Sequence, residues 1–309
     1  MLVRLGFETA ALDAKLLTQH ALSLDALGLA TREAEPVDGA AVERVAHLLQ
    51  RRMTGESVAR IIGEREFYGL VFALNPATLE PRPDTELLVD LALGMLPAGG
   101  RLLDLGTGTG CIPIAVLANQ PDATGVAVDI SAEAIEAART NAARHGVVER
   151  IEFLEGSWFE PLLTSPFRGE VDPLGSGEGA FHAHRTEKRP PHPALRADLS
   201  PEGRGEETFD LIVSNPPYIT SAVVETLAPE VKHFDPRLAL DGGPDGLAPY
   251  RIIVAEADTW LKPNGRVLVE IGYDQGAAVS ALFLEAGFED VAVHRDLAGL
   301  DRVVSAHHV

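Results

Sequence analysis

The chain has 309 residues, 46% of them hydrophobic, which suits one ordinary domain and a smaller companion; no run reaches the roughly 18 apolar residues of a membrane span. The single cysteine, Cys111, excludes an internal disulfide and any cysteine-based metal cluster, so no metal is expected, and it agrees with a reducing, cytoplasmic location. A formal net charge of -20 sets the surface field against phosphate backbones, so no direct nucleic-acid partner is expected and a protein or small-molecule substrate is favoured.

From Glu8 to about Met53, apolar residues recur at helical spacing: Leu12, Leu16 and Leu17 first, then Val42, Val45 and Leu49 beyond the polar run from Thr31 to Gly39. Between Ile61 and Pro83 short apolar runs are punctuated by Gly63, Gly69, Pro76, Pro81 and Pro83, which predicts a hairpin-like connector. A helical N-terminal domain with its connector is thus expected over 1–75, and the main domain over 76–309. From Arg101 onward strands and helices alternate. Strands are expected at Leu102–Leu105, Thr124–Asp129, Ile151–Leu154, Phe209–Val213 and Arg266–Ile271. Helices are expected from Cys111, over Ser131–His145 ahead of Gly146, over Gly246–Leu261 and over Gln275–Ala286. Two further strands, Asp290–Arg295 and Arg302–Ala306, are joined too closely for a helical crossover and should pair antiparallel. The sum is an α/β fold, a mostly parallel seven-stranded sheet with helices on both faces. One segment breaks the alternation: residues 165–208 hold six Pro, six Gly and only six Leu, Ile, Val or Phe, so a disordered insertion is expected there. Its His182, His184 and His192 read as solvated side chains, because a flexible tract cannot preorganise metal ligands.

Asp104-Leu105-Gly106-Thr107-Gly108-Thr109-Gly110 falls where a strand ends and a helix begins, so its glycines permit a tight turn and close approach of a ligand to the backbone. Cys111 stands where the dinucleotide fingerprint would need a further glycine, which lowers a nicotinamide-cofactor reading. Asp129 ends the next strand, where a carboxylate can accept hydrogen bonds from both ribose hydroxyls. Trp158 follows the third strand and either covers an adenine ring or fills core space.

Ser214-Asn215-Pro216-Pro217-Tyr218 comes directly after an apolar strand, at the edge where open α/β sheets place their ligands. An amide nitrogen is a weak nucleophile because its lone pair is delocalised, so an enzyme that methylates one must accept its hydrogens and orient it. The Asn215 side-chain carbonyl and the Pro216 backbone carbonyl can be those acceptors, and two consecutive prolines stiffen the loop that carries them. Tyr218 can pack on the planar amide and lie near a sulfonium charge. No strong general base is required, since the methylated amide can lose its proton to water; Asp84 and Glu86 stand as further candidates, with Asp84-Thr85 opening a helix the simpler reading.

At this point the chain resembles the PrmC/HemK family of release-factor glutamine methyltransferases. Beside the glycine loop and Asn-Pro-Pro-Tyr, the match includes Gly63-Glu64-Arg65-Glu66-Phe67-Tyr68, Pro81-Arg82-Pro83-Asp84-Thr85-Glu86 and the run from Leu238 to Gly246. Asn-Pro-Pro-Tyr alone is shared with adenine-N6 DNA methyltransferases and with a ribosomal-protein glutamine methyltransferase, the two alternative readings; a non-catalytic nucleotide-binding regulator would not need it. The resemblance implies a class I (Rossmann-like) methyltransferase domain and S-adenosylmethionine as cofactor, held by Gly106, Thr107, Gly108, Thr109, Gly110, Asp129, Trp158 and Asn215. It also implies class I peptide chain release factors as partners, whose Gly-Gly-Gln glutamine would sit on Asn215, Pro216, Pro217 and Tyr218. Asn215 and Pro216 would act in catalysis, and the N-terminal helices would help dock the factor. Two departures stand out: Glu80 where an apolar residue is expected before Pro81, and the insertion between Trp158 and Asn215.

Overall fold

A computed structural model describes residues 2–163 and 208–308. The insertion expected over 165–208, with its three histidines, lies outside the described residues but for Thr208.

The N-terminal helices are α1 (Ala10–Leu22), α2 (Ala26–Thr31), α3 (Gly39–Met53) and α4 (Val58–Ile62). Three begin on a side-chain cap: Asp25 accepts from the Gly28 N–H, Asp38 from Ala41 and Ser57 from Arg60. Leu17 is fully buried, whereas Leu12 and Val42 stay more than half exposed, so the apolar stripe predicted for these helices is only partly consumed by packing. Asp13 and Arg52 tie α1 to α3 at 2.7 Å, and the Arg52 guanidinium stacks over the Phe7 ring. The Ser57 hydroxyl both caps α4 and donates to buried Glu80 at 2.7 Å. Ser57→Ala should therefore cost about 1–2 kcal/mol, read as a lowered midpoint in chemical denaturation.

The connector is a hairpin of β1 (Glu64–Phe67) and β2 (Leu70–Ala73). Its two-residue loop, Tyr68-Gly69, has φ of 53° and 73°, the doubly positive backbone of a primed hairpin turn. The chain then enters α5 (Glu86–Met95) through a short 3-10 turn at Pro83–Thr85, in line with the helix opening expected at Asp84-Thr85.

The main sheet contains β3 (Arg101–Leu105), β4 (Thr124–Asp129), β5 (Ile151–Glu155), β6 (Phe209–Ser214), β7 (Leu261–Glu270), β8 (Glu289–Arg295) and β9 (Asp301–His307). They are ordered β5-β4-β3-β6-β7-β9-β8. The first five run parallel, β9 runs antiparallel to β7, and β8 pairs antiparallel with β9, as the short connection between the last two demands. Helices α6 (Cys111–Asn119) and α7 (Ala132–Arg144) join α5 on one face; α8 (Ala248–Trp260) and α9 (Gly276–Glu285) cover the other. Side chains alternate between these layers. Leu102 and Ala127 pack into the first, while Leu103, Val126 and Val128 pack into the second, the period of two that a doubly covered sheet requires.

The sequence placed the fifth strand at Arg266–Ile271, but β7 starts at Leu261. Phe209 pairs with Leu261 and Leu211 with Arg266, so Lys262 to Gly265 form an excursion with Asn264 at φ 66°, which hides the strand start behind a turn-like Pro-Asn-Gly string.

Candidate active site

Strand order reverses between β3 and β6, the place where an open α/β sheet leaves a crevice at its carboxyl edge. Leu105 pairs with Ser214, and the Ser214 hydroxyl donates to the Leu105 carbonyl at 2.7 Å. Two loops distant in sequence, one starting at Gly106 and one at Asn215, therefore leave the sheet side by side. Between them and the connector lies a cavity of about 730 Å³.

The glycine loop is fixed by its neighbours. The Gly106 and Thr107 N–H groups both donate to the Val128 carbonyl at 2.9 Å, and the Gly108 N–H donates to Asp129 Oδ2 at 2.8 Å. Gly106 and Gly108 have φ of 77° and 56°, with open space where a side chain would project, so a ligand can lie against the bare backbone. Gly110 differs: it caps α6 at φ 77°, and a β-carbon there would come within 2.8 Å of Ile114 and 3.1 Å of Ala138. Its lack of a side chain lets α6 pack on α7, and it does not line the cavity.

Asp129 Oδ1 accepts from the Ser131 N–H at 2.9 Å, so each oxygen takes one backbone donor and keeps further acceptor capacity toward the cavity it lines. Burial holds this carboxyl above its ordinary value, opposed by the Ser131 and Gly108 donors. Trp158, at φ 50°, lines the cavity while it also packs on the core beneath. Exposed Ile130 adds an apolar wall that its place after a strand did not announce.

Under the glycine loop Asp104 is fully buried, and neither of its oxygens nor the Thr107 hydroxyl closes a hydrogen bond among the described residues. Burial pushes Asp104 up to about 7, against the opposing pull of Thr107 and with Asp129 adding to the rise. A bare glycine cradle with a ribose-competent carboxylate beside it fits a bound nucleoside cofactor.

On the opposite wall, Asn215 and Pro217 line the cavity, and the Asn215 Nδ2 donates to Thr85 Oγ1 at 3.1 Å. Pro216 and Tyr218 are brought to the same loop but do not line it. Tyr218 packs on the second core layer, its hydroxyl 3.5 Å from Glu270 Oε1; burial raises this phenol to about 12, so it stays neutral. Asp84 pairs with Arg302 at 3.2 Å and Glu86 accepts from the Tyr68 N–H, both away from the cavity lining. Glu80 does line it, satisfied by Ser57 and by Arg65 at 3.4 Å, which explains how a carboxylate is tolerated where an apolar residue was expected.

The run from Leu238 to Gly246 forms a bracket behind the Asn-Pro-Pro-Tyr loop, a function its composition did not reveal. The Ile219 N–H donates to the Leu240 carbonyl, Gly242 donates back to Ile219, and the Ser221 N–H donates to Gly243. A β-carbon on Gly242 would lie 2.7 Å from the Pro217 carbonyl oxygen, and one on Gly246 would overlap the Tyr218 carbonyl oxygen. Pro236, Leu238 and Ala239 from this bracket line the cavity mouth. Asp235 anchors it, accepting from Arg60 at 2.7 Å and Arg82 at 2.8 Å, and so ties it to α4 and the connector.

Comparison with known proteins agrees with this geometry. The PrmC N-terminal domain model matches residues 1–63 and a methyltransferase domain model matches residues 96–181. The chain is 40% identical to the release factor glutamine methyltransferase of Agrobacterium fabrum, over 97% of this chain and 91% of that one. It is 38% identical to that of Geobacter sulfurreducens, over 97% and 90%. Among solved structures, the catalytic domain of hMettl16 superposes with a TM-score of 0.52 at 13% identity, covering 87% of this chain and 81% of that chain, a likeness of fold alone. No helix of the described residues is long and apolar enough to cross a membrane. With relatives matched along nine-tenths or more of both lengths, the chain belongs to the release factor glutamine methyltransferase family.

Proposed function

We propose that this protein transfers a methyl group from S-adenosylmethionine to the side-chain amide nitrogen of the glutamine in the Gly-Gly-Gln motif of class I peptide chain release factors, acting in the cytoplasm. The observation that carries this reading is the pairing of Leu105 with Ser214, which puts a bare glycine cradle and the Asn215 amide on facing walls of one cavity. When bound, the cofactor supplies an electrophilic methyl group on a sulfonium. The backbone of Gly106 to Gly108 and the Asp129 carboxylate would hold its nucleoside, with Ile130 and Trp158 as the apolar surface for the base. Asp129→Ala should weaken cofactor binding roughly tenfold to a hundredfold in calorimetric titration, the effect of losing charge-assisted hydrogen bonds and the support of the Gly108 N–H.

The Asn215 and Pro216 carbonyls would accept the two amide hydrogens of the substrate glutamine, holding its NH2 plane and leaving the lone pair free to meet the methyl group. The bracket on the far side keeps this loop from yielding, and the proton released after transfer goes to water. For docking, the exposed apolar side chains Leu5, Leu12, Leu27 and Val42 on the N-terminal helices offer surface to a protein partner. The test is transfer of labelled methyl groups to three acceptors: a class I release factor, the same factor with the motif glutamine replaced by alanine, and ribosomal proteins. Label on the first alone is expected; label on ribosomal proteins alone would overturn the substrate assignment.

A further inference from the structure

Glu270 ends β7 directly beneath the Asn215 loop and takes no part in the chemistry described so far. It is 1% exposed, and its Oε2 closes no hydrogen bond among the described residues. The groups turned toward its carboxylate come from separate elements. The pairing of Ser214 with Val269 sets Asn215 beside it, the Tyr218 hydroxyl is 3.5 Å from Oε1, and Thr85, Arg302 of β9 and Asn215 all favour its ionised form. Thr85 is itself 2% exposed and receives the Asn215 Nδ2 at 3.1 Å.

An ionised carboxylate can only accept hydrogen bonds. The Thr85 oxygen already accepts from the Asn215 NH2, so the hydroxyl proton is left to be given, and an ionised Glu270 is the buried acceptor placed to draw it; an amide facing both acceptors must present its NH2 to them. The Asn215 carbonyl is then left for the cavity. With an apolar or donor group at position 270, the amide would have no reason to prefer this orientation, and the flipped form would set an N–H donor against a substrate N–H. We infer that Glu270 is a positioning residue: acting directly and through the Thr85 hydroxyl, it fixes the Asn215 amide with its carbonyl toward the acceptor amide. This inference rests on the amide-methylation reading above.

The groups around the carboxylate determine how it titrates. Desolvation raises Glu270 to about 7, Thr85, Arg302 and Asn215 oppose the rise, and Asp84 adds to it. Tyr218, and Tyr250, whose hydroxyl donates to the Glu270 backbone carbonyl at 2.9 Å, also face the residue, as does Cys111, and all three stay protonated near neutral pH. Ionisation of Glu270 should therefore lock the amide as pH rises through about 7.

Four variants test the inference: Thr85→Ser, which keeps the hydroxyl, Thr85→Val, which keeps the shape, Glu270→Gln, and the Val/Gln double variant. With a release factor as acceptor, Thr85→Ser should stay within about threefold of wild type. Thr85→Val and Glu270→Gln should each lose about tenfold or more in kcat at unchanged KM for S-adenosylmethionine, and the double variant should be no worse than the poorer single one. Additive losses, or wild-type kcat in both single variants, would overturn it. A readout independent of turnover is the Asn215 side-chain NH2 resonance in nitrogen-edited NMR. It should titrate near pH 7 in the wild type and stop doing so in Glu270→Gln; a signal insensitive to pH in both would overturn the inference even were the release-factor reading to fail on wild-type turnover.

Discussion

Asn215→Ala should lower turnover by roughly a hundredfold to a thousandfold while cofactor affinity stays within a few-fold, because a preorganised acceptor is lost from the reaction but not from the nucleoside site. The geometry makes this separation sharp. Asn215 stands on the wall opposite Asp129 and the glycine loop, and its side-chain NH2 donates down to Thr85 rather than toward the cradle. Truncation removes the carbonyl that would hold one substrate N–H and leaves the rigid Pro216-Pro217 backbone in place. Calorimetric titration with S-adenosylmethionine alongside single-turnover kinetics measures the two quantities separately. Turnover close to wild type would sink the role given to this side chain.

Gly246→Ala is expected to be the more damaging of two superficially similar substitutions. Gly246 and Gly299 both occupy positive φ, at 73° and 81°, so alanine at either site pays a backbone strain of about 1 kcal/mol. Nothing lies within 4 Å of the β-carbon position at Gly299, whereas at Gly246 it overlaps the Tyr218 carbonyl oxygen and meets the Gln275 Nε2 at 2.7 Å. Gln275 itself donates to the Tyr218 and Gly246 carbonyls, so neither loop can withdraw without breaking that bridge. Displacement of the Asn-Pro-Pro-Tyr loop by a fraction of an ångström should cost kcat about tenfold or more, because catalysis here is a matter of orientation. Gly299→Ala should lower the unfolding midpoint slightly and leave kcat unchanged. Equal kinetic effects in the two variants would show that the bracket does not position the loop.

The parts of this site that were legible in the sequence are those whose chemistry is local. The glycine loop, Asp129 and Asn-Pro-Pro-Tyr each sit at the end of an apolar run, and alternation of strand and helix patterns was enough to bring those ends to one edge. Local breaks were equally accessible: Gly69 punctuates the connector at the hairpin turn, and Ser131 opens the helix expected from it. What stayed hidden depends on contacts made across the chain. Gly110 belongs to the same motif as Gly106 and Gly108, yet its partners are Ile114 and Ala138 on packed helices, and spacing cannot tell a ligand-facing glycine from a helix-facing one. The run from Leu238 to Gly246 entered only as a matched motif, because its purpose is the Tyr218 carbonyl across the chain. Arg60 and Asp235 are 175 positions apart and meet only once α4 and the bracket are in place. Glu270, an acid closing an apolar strand, gave no sign that three neighbouring elements converge on it.

The facing walls of this cavity should together methylate one glutamine amide in a release factor. The most direct test is peptide mass spectrometry of a purified class I release factor, incubated with S-adenosylmethionine and a substoichiometric amount of this protein. A single added methyl group is expected on the side-chain nitrogen of the Gly-Gly-Gln glutamine, accumulating over many turnovers and missing with the Asn215→Ala variant. An unmodified factor, with cofactor binding intact, or a methyl group on any other residue, would contradict it.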